Sequence, residues 1–294
     1  MIYPKKNQSG QALLIVLLIM AVSLTIGLSV ISSSVTDISL SGKSDDSARA
    51  FSAAEAGIEE GLVTGNSTGV LPIGETGATY QTATVNLGAG QTAFAFPGEY
   101  RIDQIQTFWL ASYNSTNGTY TKVYDRTKLR VVWGNPNGTD NPALEATIYY
   151  KDGSDYKVGR FALDPNPAAT DYFCQPNSTN CPATVSNFST GGETVDGKDF
   201  KYGATLDLSG FRNGGTKYLL FARLRVLYSA SAQVLGAVAV SGTGTSNFPS
   251  QGIKISAVGQ SGSATRKVEV KRLLPAPPSF LDYTVYSEGG LVHQ

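Results

Sequence analysis

Few residues in this chain have the types and spacing that enzymatic chemistry requires. The only histidine is His293, close to the end of the sequence, and no Gly-x-Ser-x-Gly elbow lies between a predicted strand and a predicted helix. A serine nucleophile needs a neighbouring base, which is most often histidine. The carboxylate pairs Asp152 with Asp155 and Glu59 with Glu60 have a spacing that solvated surfaces also show. The sequence therefore predicts no enzymatic activity and no cofactor.

The two cysteines are the next candidates for chemistry. Cys174 and Cys181 are separated by six residues in a segment rich in Asn, Ser and Pro. In an oxidising compartment this pair favours a disulfide that closes a small loop, although two free thiols remain an alternative. A zinc site is disfavoured, because the spacing is not that of a zinc motif and a histidine ligand is lacking. We expect a disulfide and no metal.

A second possible cation site lies in Asn135-x-Asn137-Gly-Thr-Asp140-Asn. Its side-chain oxygens could hold calcium, but the segment lacks the bidentate glutamate that completes an EF-hand loop. Asn and Asp also form turns by accepting hydrogen bonds from the main chain two residues on. An Asx-rich turn is the favoured interpretation.

Composition limits the class of partner. The 294 residues contain 23 basic and 23 acidic side chains, and only 16% of residues are charged. Nucleic-acid binding requires a clustered basic surface, so no nucleic-acid partner is expected. The 15 Tyr, 12 Phe and 32 Gly are typical of a β-rich secreted domain.

The element that must position everything else begins near the N-terminus. Two lysines, Lys5 and Lys6, precede an uncharged run that continues to Asp37, with eleven consecutive apolar residues from Ala12 to Val22. About twenty apolar residues in a helix cross the hydrocarbon core of a bilayer. The pattern predicts a transmembrane half over 11–31. The lysines favour a cytoplasmic N-terminus, which places the rest of the chain outside.

The helical pattern continues beyond that run, in an amphipathic half over 46–62. Apolar residues recur there at three- and four-residue steps, namely Ala48, Phe51, Ala54, Ile58 and Leu62. No proline occurs between Pro4 and Pro72, so a nearly continuous helix from Gln11 to Leu62 is expected, with Gly42 as its weakest point. Such a helix is on the order of 80 Å long. We expect Phe51, Ala54, Ile58 and Leu62 to pack against a globular domain.

After a Gly-, Ser- and Thr-rich linker over 63–79, residues 80–294 show period-two alternation broken by turn signals. The predicted strands cover 80–87, 99–110, 120–124, 128–133, 144–151, 156–163, 200–208, 217–229, 234–240, 252–258 and 265–273. The predicted fold class is α+β, with a long N-terminal helix followed by an antiparallel, sandwich-like β-rich domain outside the membrane.

Two segments of the first 62 residues carry a family resemblance. The basic leader Lys5-Lys-Asn-Gln-Ser-Gly10, followed by an apolar helix start, resembles the class III signal of type IV pilins and type II secretion pseudopilins. The segment Ala50-Phe-Ser-Ala-Ala-Glu-Ala-Gly-Ile-Glu-Glu-Gly-Leu62 resembles the end of the N-terminal region in PilX-like minor pilins.

The resemblance implies processing and assembly. A prepilin peptidase would cut between Gly10 and Gln11, so that residues 1–10 form a leader, and would methylate the new N-terminus. The helix would sit in membrane lipid before assembly, then pack against other pilin subunits through Leu13, Leu14, Ile15, Leu17, Leu18 and Met20. An assembly platform in the inner membrane is a further implied partner. The implied location is first the cytoplasmic membrane and then a cell-surface filament.

The sequence departs from the family pattern at two positions. Most major pilins carry a glutamate at the fifth mature position, which here is Ile15, and Gln11 replaces the usual phenylalanine or methionine. A missing glutamate is similar to minor pilins that prime a filament or lie at its tip. We therefore expect a minor pilin or pseudopilin. The alternative is a membrane-anchored β-sandwich adhesin or binding protein that forms no filament, and an anchored hydrolase is a distant third.

Overall fold

The structure is a computed structural model that describes residues 9–278, except Thr76, Asp103, Ser115, 167–172, 177–180, 182–183, 213–214 and 241–246. For residues 9–11 it describes the backbone alone. Lys5 and Lys6 of the predicted leader, His293 and the tail beyond Pro278 lie outside the described residues.

One long α-helix precedes a β-rich remainder. The helix α1 spans Ser9–Thr64. The strands are β1 Leu71–Pro72, β2 Thr79–Leu87, β3 Ala93–Ala95, β4 Gln106–Trp109, β5 Ala111–Asn114, β6 Thr119–Lys122, β7 Lys128–Trp133, β8 Ala143–Asp152, β9 Asp155–Leu163, β10 Val185–Ser189, β11 Glu193–Val195, β12 Lys198–Phe200, β13 Tyr202–Asp207, β14 Lys217–Leu227, β15 Leu235–Ala239, β16 Gly252–Ser261 and β17 Ala264–Leu273. A 3-10 turn covers Ser209–Phe211. The predicted α+β class is confirmed.

The chain divides into two compact units, and the first is built on the helix. It comprises Met1–Thr84 and Ile255–Val270. Its strands belong to a four-stranded sheet with the order β1-β2-β16-β17. Strand β1 lies inside the predicted linker and pairs antiparallel with β2, with Leu71 opposite Tyr80.

The helix is uninterrupted through Gly27 and Gly42, so the expected weak point at Gly42 does not break it. Its end has a local cause. Gly65 takes a φ of +69°, and its N–H donates to the carbonyl of Gly61 at 3.0 Å. A glycine in this left-handed conformation is a common way to satisfy the last carbonyls and terminate a helix.

The second unit comprises Val85–Lys254 and Lys271–Gln294. It contains a five-stranded sheet with the order β10-β13-β7-β15-β3 and a four-stranded sheet with the order β4-β14-β8-β9. The paired strands β5-β6 and β11-β12 complete it. The pairings in these sheets are antiparallel, for example Lys128 opposite Asp207 and Leu144 opposite Leu163.

Side chains from both sheets of the second unit form one core. Its fully buried members include Leu129 and Trp133 on β7, Ile148 on β8 and Leu224 on β14. The indole N–H of Trp133 donates to the carbonyl of Pro142 at 2.8 Å, so its one polar atom is satisfied within the core. Two sheets that face each other across a shared core form a sandwich-like architecture.

The buried amide of Gln251 completes the edge of β4. Its Oε1 accepts from the main-chain N–H of Trp109 at 2.7 Å, and its Nε2 donates to the carbonyl of Trp109 at 2.9 Å. One side chain thus supplies both hydrogen bonds that a neighbouring strand would provide, and no buried main-chain group of Trp109 is left unsatisfied.

The longer strands lie where the alternation predicted them, whereas the short ones were missed. Strands β1, β3, β5, β10 and β11 have two to five residues, too few for a period of two to be recognised. The predicted strand 99–110 is wrong over its first half. There, Tyr100 forms an isolated bridge with Gln233 and regular pairing begins only at Gln106.

Candidate functional site: the N-terminal helix

The first half of the helix is covered by nothing else in the described residues. Every side chain from Ala12 to Asp45 is exposed. The residues predicted to pack in a membrane or filament are 55–67% exposed, namely Leu13, Leu14, Ile15, Leu17, Leu18 and Met20. By length and composition this helix could span a membrane, a criterion that signal sequences also meet. Nothing within the described part of the chain buries its apolar side chains, a surface of the kind that lipid or another molecule covers.

The predicted processing site lies at the start of this helix. Gly10 and Gln11 are helical residues directly after Ser9, and the side chain of Gln11 lies outside the described part. The peptide bond between them precedes the exposed apolar run that begins at Ala12.

A polar girdle separates the two halves of the helix. Asp45 and Arg49 form an ion pair of 2.9 Å one turn apart on the exposed surface. Ser47 is half-buried, and its hydroxyl oxygen accepts from Nε of Arg266 on β17 at 2.9 Å. Surface ion pairs contribute little stability, so these contacts affect the orientation of the helix more than the stability of the protein.

The second half packs on its sheet through small residues. The buried side of the helix consists of Ala50, Ala53, Ala54, Gly57, Ile58 and Gly61. Ala54 and Ile58 lie on the buried side, as predicted, and Leu62 is half-buried. Phe51 was also expected to pack, but it is 47% exposed, and this part of the prediction is wrong. A row of Ala and Gly lets the helix backbone approach the sheet more closely than a phenylalanine ring would permit.

Gly259 on β16 sets that distance. A Cβ built on this residue would lie 2.0 Å from the main-chain oxygen of Ala50 and 2.5 Å from the nitrogen of Ala54. Only a residue without a side chain can occupy this position while the helix stays in place. Gly57 and Gly61 serve the same purpose on the helix side, where an added Cβ would lie 2.9 Å from Cβ of Ala257 and 2.6 Å from Cγ2 of Ile255.

One buried hydrogen bond joins the same two elements. The hydroxyl of Thr82 on β2 donates to the carbonyl of Gly57 at 2.8 Å, and the Thr82 side chain is fully buried. The donor would otherwise be an unsatisfied polar group in an apolar contact, which costs about 1–3 kcal/mol. The contact between helix and sheet is thus specific in register as well as close.

Asp152, one of the candidate carboxylates, is paired with lysines. Oδ2 of Asp152 accepts from Nζ of Lys157 at 2.9 Å and lies 3.9 Å from Nζ of Lys217. The hydrogen bond from Lys157 lowers the pKa of Asp152, whereas a general acid needs a raised pKa. Within the part of the chain that the structure describes, no group of three or more His, Cys, Asp or Glu side chains could hold a metal ion.

The segment considered for calcium is an Asx turn whose carbonyls accept hydrogen bonds from the ammonium group of Lys201. The N–H of Asn137 donates to Oδ1 of Asn135 at 3.1 Å. Nζ of Lys201 donates to the carbonyls of Gly138 at 3.0 Å and Asp140 at 3.2 Å. The ammonium group of Lys201 thus occupies two main-chain carbonyls of this turn, and Oδ1 of Asn135 is taken by the main chain. The interpretation as a turn is confirmed.

The carboxylate of Asp140 closes the neighbouring loop. Its Oδ2 accepts from the hydroxyls of Ser229 at 3.0 Å and Ser231 at 2.8 Å, and from the N–H of Ser231 at 2.9 Å. The hydrogen bonds from Ser231 and Ser229 lower the pKa of Asp140 to about 2.

Cys174 and Cys181 form the predicted disulfide. The N–H of Cys174 donates to the carbonyl of Ala162 at 2.9 Å, and its carbonyl accepts from the N–H of Asp164 at 2.9 Å. Cys174 of the disulfide is therefore hydrogen-bonded to the end of β9.

The small-residue row was the part of this site that the sequence interpretation missed. Its signal was present as Ala50, Ala53, Ala54, Gly57 and Gly61, which recur at steps of three and four residues. The large apolar residues drew the prediction instead.

The chain matches no protein-family model, no curated protein and no solved structure.

Proposed function

We propose that the chain is a minor pilin-like structural subunit. In this proposal a prepilin peptidase cuts it after Gly10, and its N-terminal helix carries it into a type IV pilus or a related filament. One observation carries the proposal, namely a single unbroken helix with an exposed apolar half and a half packed on a sheet through small residues.

Burial of the exposed apolar half of the helix supplies the driving force for membrane insertion and then for assembly. Burying one exposed leucine or isoleucine contributes about 1.5–3 kcal/mol, and the exposed half carries more than ten large apolar side chains. Membrane lipid covers this surface first. A bundle of equivalent helices from other subunits then covers it in the filament core, after extraction by an assembly platform in the inner membrane.

The buried half of the helix fixes where its sheet would lie relative to a filament core. Because Gly259 and Thr82 hold the helix to its own sheet, a helix fixed in a filament core would hold that sheet beside the core. Ile15, at the position where a charge-pairing glutamate is usual, favours a subunit that primes the filament or lies at its tip over an abundant shaft subunit.

The test is the intact mass and N-terminal sequence of the protein co-expressed with a prepilin peptidase. The expected product begins at Gln11 and is absent when the peptidase is inactive. The variant Gly10→Val, which changes only the residue before the cut, should keep its full mass. A product that still begins at Met1, or that begins beyond Ile31, would overturn the proposal.

A second measurement separates a filament subunit from a membrane-anchored binding protein, the main alternative. Sheared surface fibres should contain the processed chain, and cells without the assembly platform should release none. If the processed chain stays in the membrane fraction under both conditions, the anchored alternative replaces the filament.

A further inference from the structure

Four exposed or half-exposed tyrosines lie together on the second unit. They are Tyr113 on β5, Tyr120 on β6, Tyr156 on β9 and Tyr218 on β14, and together they are called the tyrosine patch. Tyr113 and Tyr156 are 48% and 64% exposed, and the other two are half-buried. The patch adjoins a small aromatic and aliphatic cluster that includes Trp109.

Strand register sets two groups of these rings, and Tyr120 and Tyr218, one from each group, pack against the same cluster around Trp109. Tyr113 lies directly opposite Tyr120, with ring centroids 5.0 Å apart and planes tilted by 43°. On the larger sheet, Lys151 of β8 is the partner of both Tyr218 on one side and Tyr156 on the other. Residues directly opposite in neighbouring strands point to the same face, so Tyr218, Lys151 and Tyr156 form a row across that face.

The phenol of Tyr120 lies near those of the other three tyrosines. Burial raises the pKa of Tyr120, and the nearby phenols of Tyr156, Tyr113 and Tyr218 raise it further. Among the described contacts, no hydrogen bond involves any of these four hydroxyls. Each therefore remains able to donate one hydrogen bond and to accept others.

The patch is close to electrically neutral. The surrounding cations have partners, with Lys122 paired to Asp125 at 2.8 Å and Lys157 to Asp152 at 2.9 Å. Lys151 lies over the ring of Tyr156, 5.8 Å from its centroid. A single ammonium group does not make the clustered basic surface that an anionic polymer requires.

We propose that the tyrosine patch binds a neutral glycan chain. The C–H face of a pyranose stacks on a tyrosine ring, and its hydroxyls both donate and accept, as phenols do. A sugar carries a hydroxyl at nearly every ring carbon, so successive sugars of a chain offer hydrogen-bond partners to the phenols along the patch. A purely apolar partner surface would bury the phenols unsatisfied, at about 1–3 kcal/mol each. This inference does not depend on whether the chain enters a filament.

The test uses the full-length protein in a detergent without a sugar headgroup, because glycosidic detergents would compete. Native electrophoresis is run in gels that contain dextran, hydroxyethylcellulose or galactomannan, which are neutral polysaccharides of different linkage. At least one of these should retard the protein. Tyr156→Ala and Tyr113→Ala should each weaken binding about tenfold, corresponding to one lost aromatic stacking contact.

Two further variants make the result specific. Tyr228→Ala is the matched control, because Tyr228 is also 64% exposed and follows the last residue of β14, at the opposite end of that strand from Tyr218. It should bind as the unchanged protein does. Tyr218→Phe keeps the ring and removes one hydroxyl, so it should weaken binding while the protein stays folded.

Several outcomes would overturn the proposal. These are no retardation in any gel, an equal loss with Tyr228→Ala, or unchanged binding when Tyr113 and Tyr156 are both replaced by alanine. A patch-dependent protein partner found without any polysaccharide binding would likewise replace the glycan as the occupant.

Discussion

The hydroxyl of Thr82 donates a 2.8 Å hydrogen bond to the main-chain carbonyl of Gly57, which joins the middle of β2 to the buried side of α1. A helix carbonyl is free to accept this bond in addition to its own helical bond, because it has two lone pairs. The bond is reached only because Gly57 has no side chain, since an added Cβ would lie 2.9 Å from Oγ1 of Thr82. The two residues thus depend on each other.

Replacing Gly259 by valine should loosen the helix from its sheet. The new side chain would collide with the backbone of Ala50 and Ala54, and overpacking of this kind costs about 1–3 kcal/mol. The expected result is a lower thermal unfolding midpoint and new protease cleavage near Ala50. Gly42→Ala is the control, because no atom lies within 4 Å of its added Cβ and alanine is the better helix former. Equal midpoints for the two variants would contradict the packing described above.

A charge placed in the exposed apolar half should impair membrane insertion. Leu17→Arg puts a guanidinium near the middle of the apolar run. An arginine at the centre of a transmembrane helix raises the free energy of membrane insertion by about 2.5–3.5 kcal/mol. The fraction of protein that resists alkaline extraction from membranes should fall. Ser41→Arg lies on the same helix beyond the apolar run and should leave that fraction unchanged. If both variants fractionate alike, the segment around Leu17 does not lie in lipid.

The disulfide should stabilise the second unit by restricting its unfolded state. Its cysteines are seven positions apart, and closing a loop of this size contributes about 2.5 kcal/mol in the chain-entropy treatment. The double variant Cys174→Ser with Cys181→Ser should unfold at lower denaturant than the oxidised protein and at the same concentration as the reduced one. Added reductant should not affect the double variant. If the oxidised protein and the double variant unfold at the same denaturant concentration, the disulfide does not stabilise the protein.

The stability of the Asp140 loop should depend on acid pH. The serine hydrogen bonds lower the folded-state pKa of Asp140 to about 2, below the value near 3.9 of an unfolded aspartate. The stabilisation is therefore complete above about pH 5 and is lost progressively as the pH falls through the folded pKa near 2. The difference in thermal unfolding midpoint between the unchanged protein and Asp140→Asn should therefore shrink over this pH interval. Asp155→Asn is the control, and a difference for Asp140→Asn that stays constant from pH 6 to pH 2 would contradict the assignment.

The long helix, the longer strands and the disulfide followed from the sequence, because each rests on a local pattern. An uncharged apolar run, a period of two and a pair of neighbouring cysteines keep their meaning whatever packs around them. Only the tertiary structure decided which side of the helix meets the sheet. The large residue Phe51 drew the sequence prediction, whereas the close approach at Gly259 selects a row of alanines and glycines.

The same reason explains the tyrosine patch. Tyr113 and Tyr120 are near each other in sequence, but Tyr156 and Tyr218 are brought together only through the pairing of β9 and β14 with β8. Register between strands distant in sequence depends on the whole sheet, and local alternation does not encode it. The sequence by itself determined that a helix and a β-rich domain exist. The tertiary structure decided how the helix is held and which side chains share a surface.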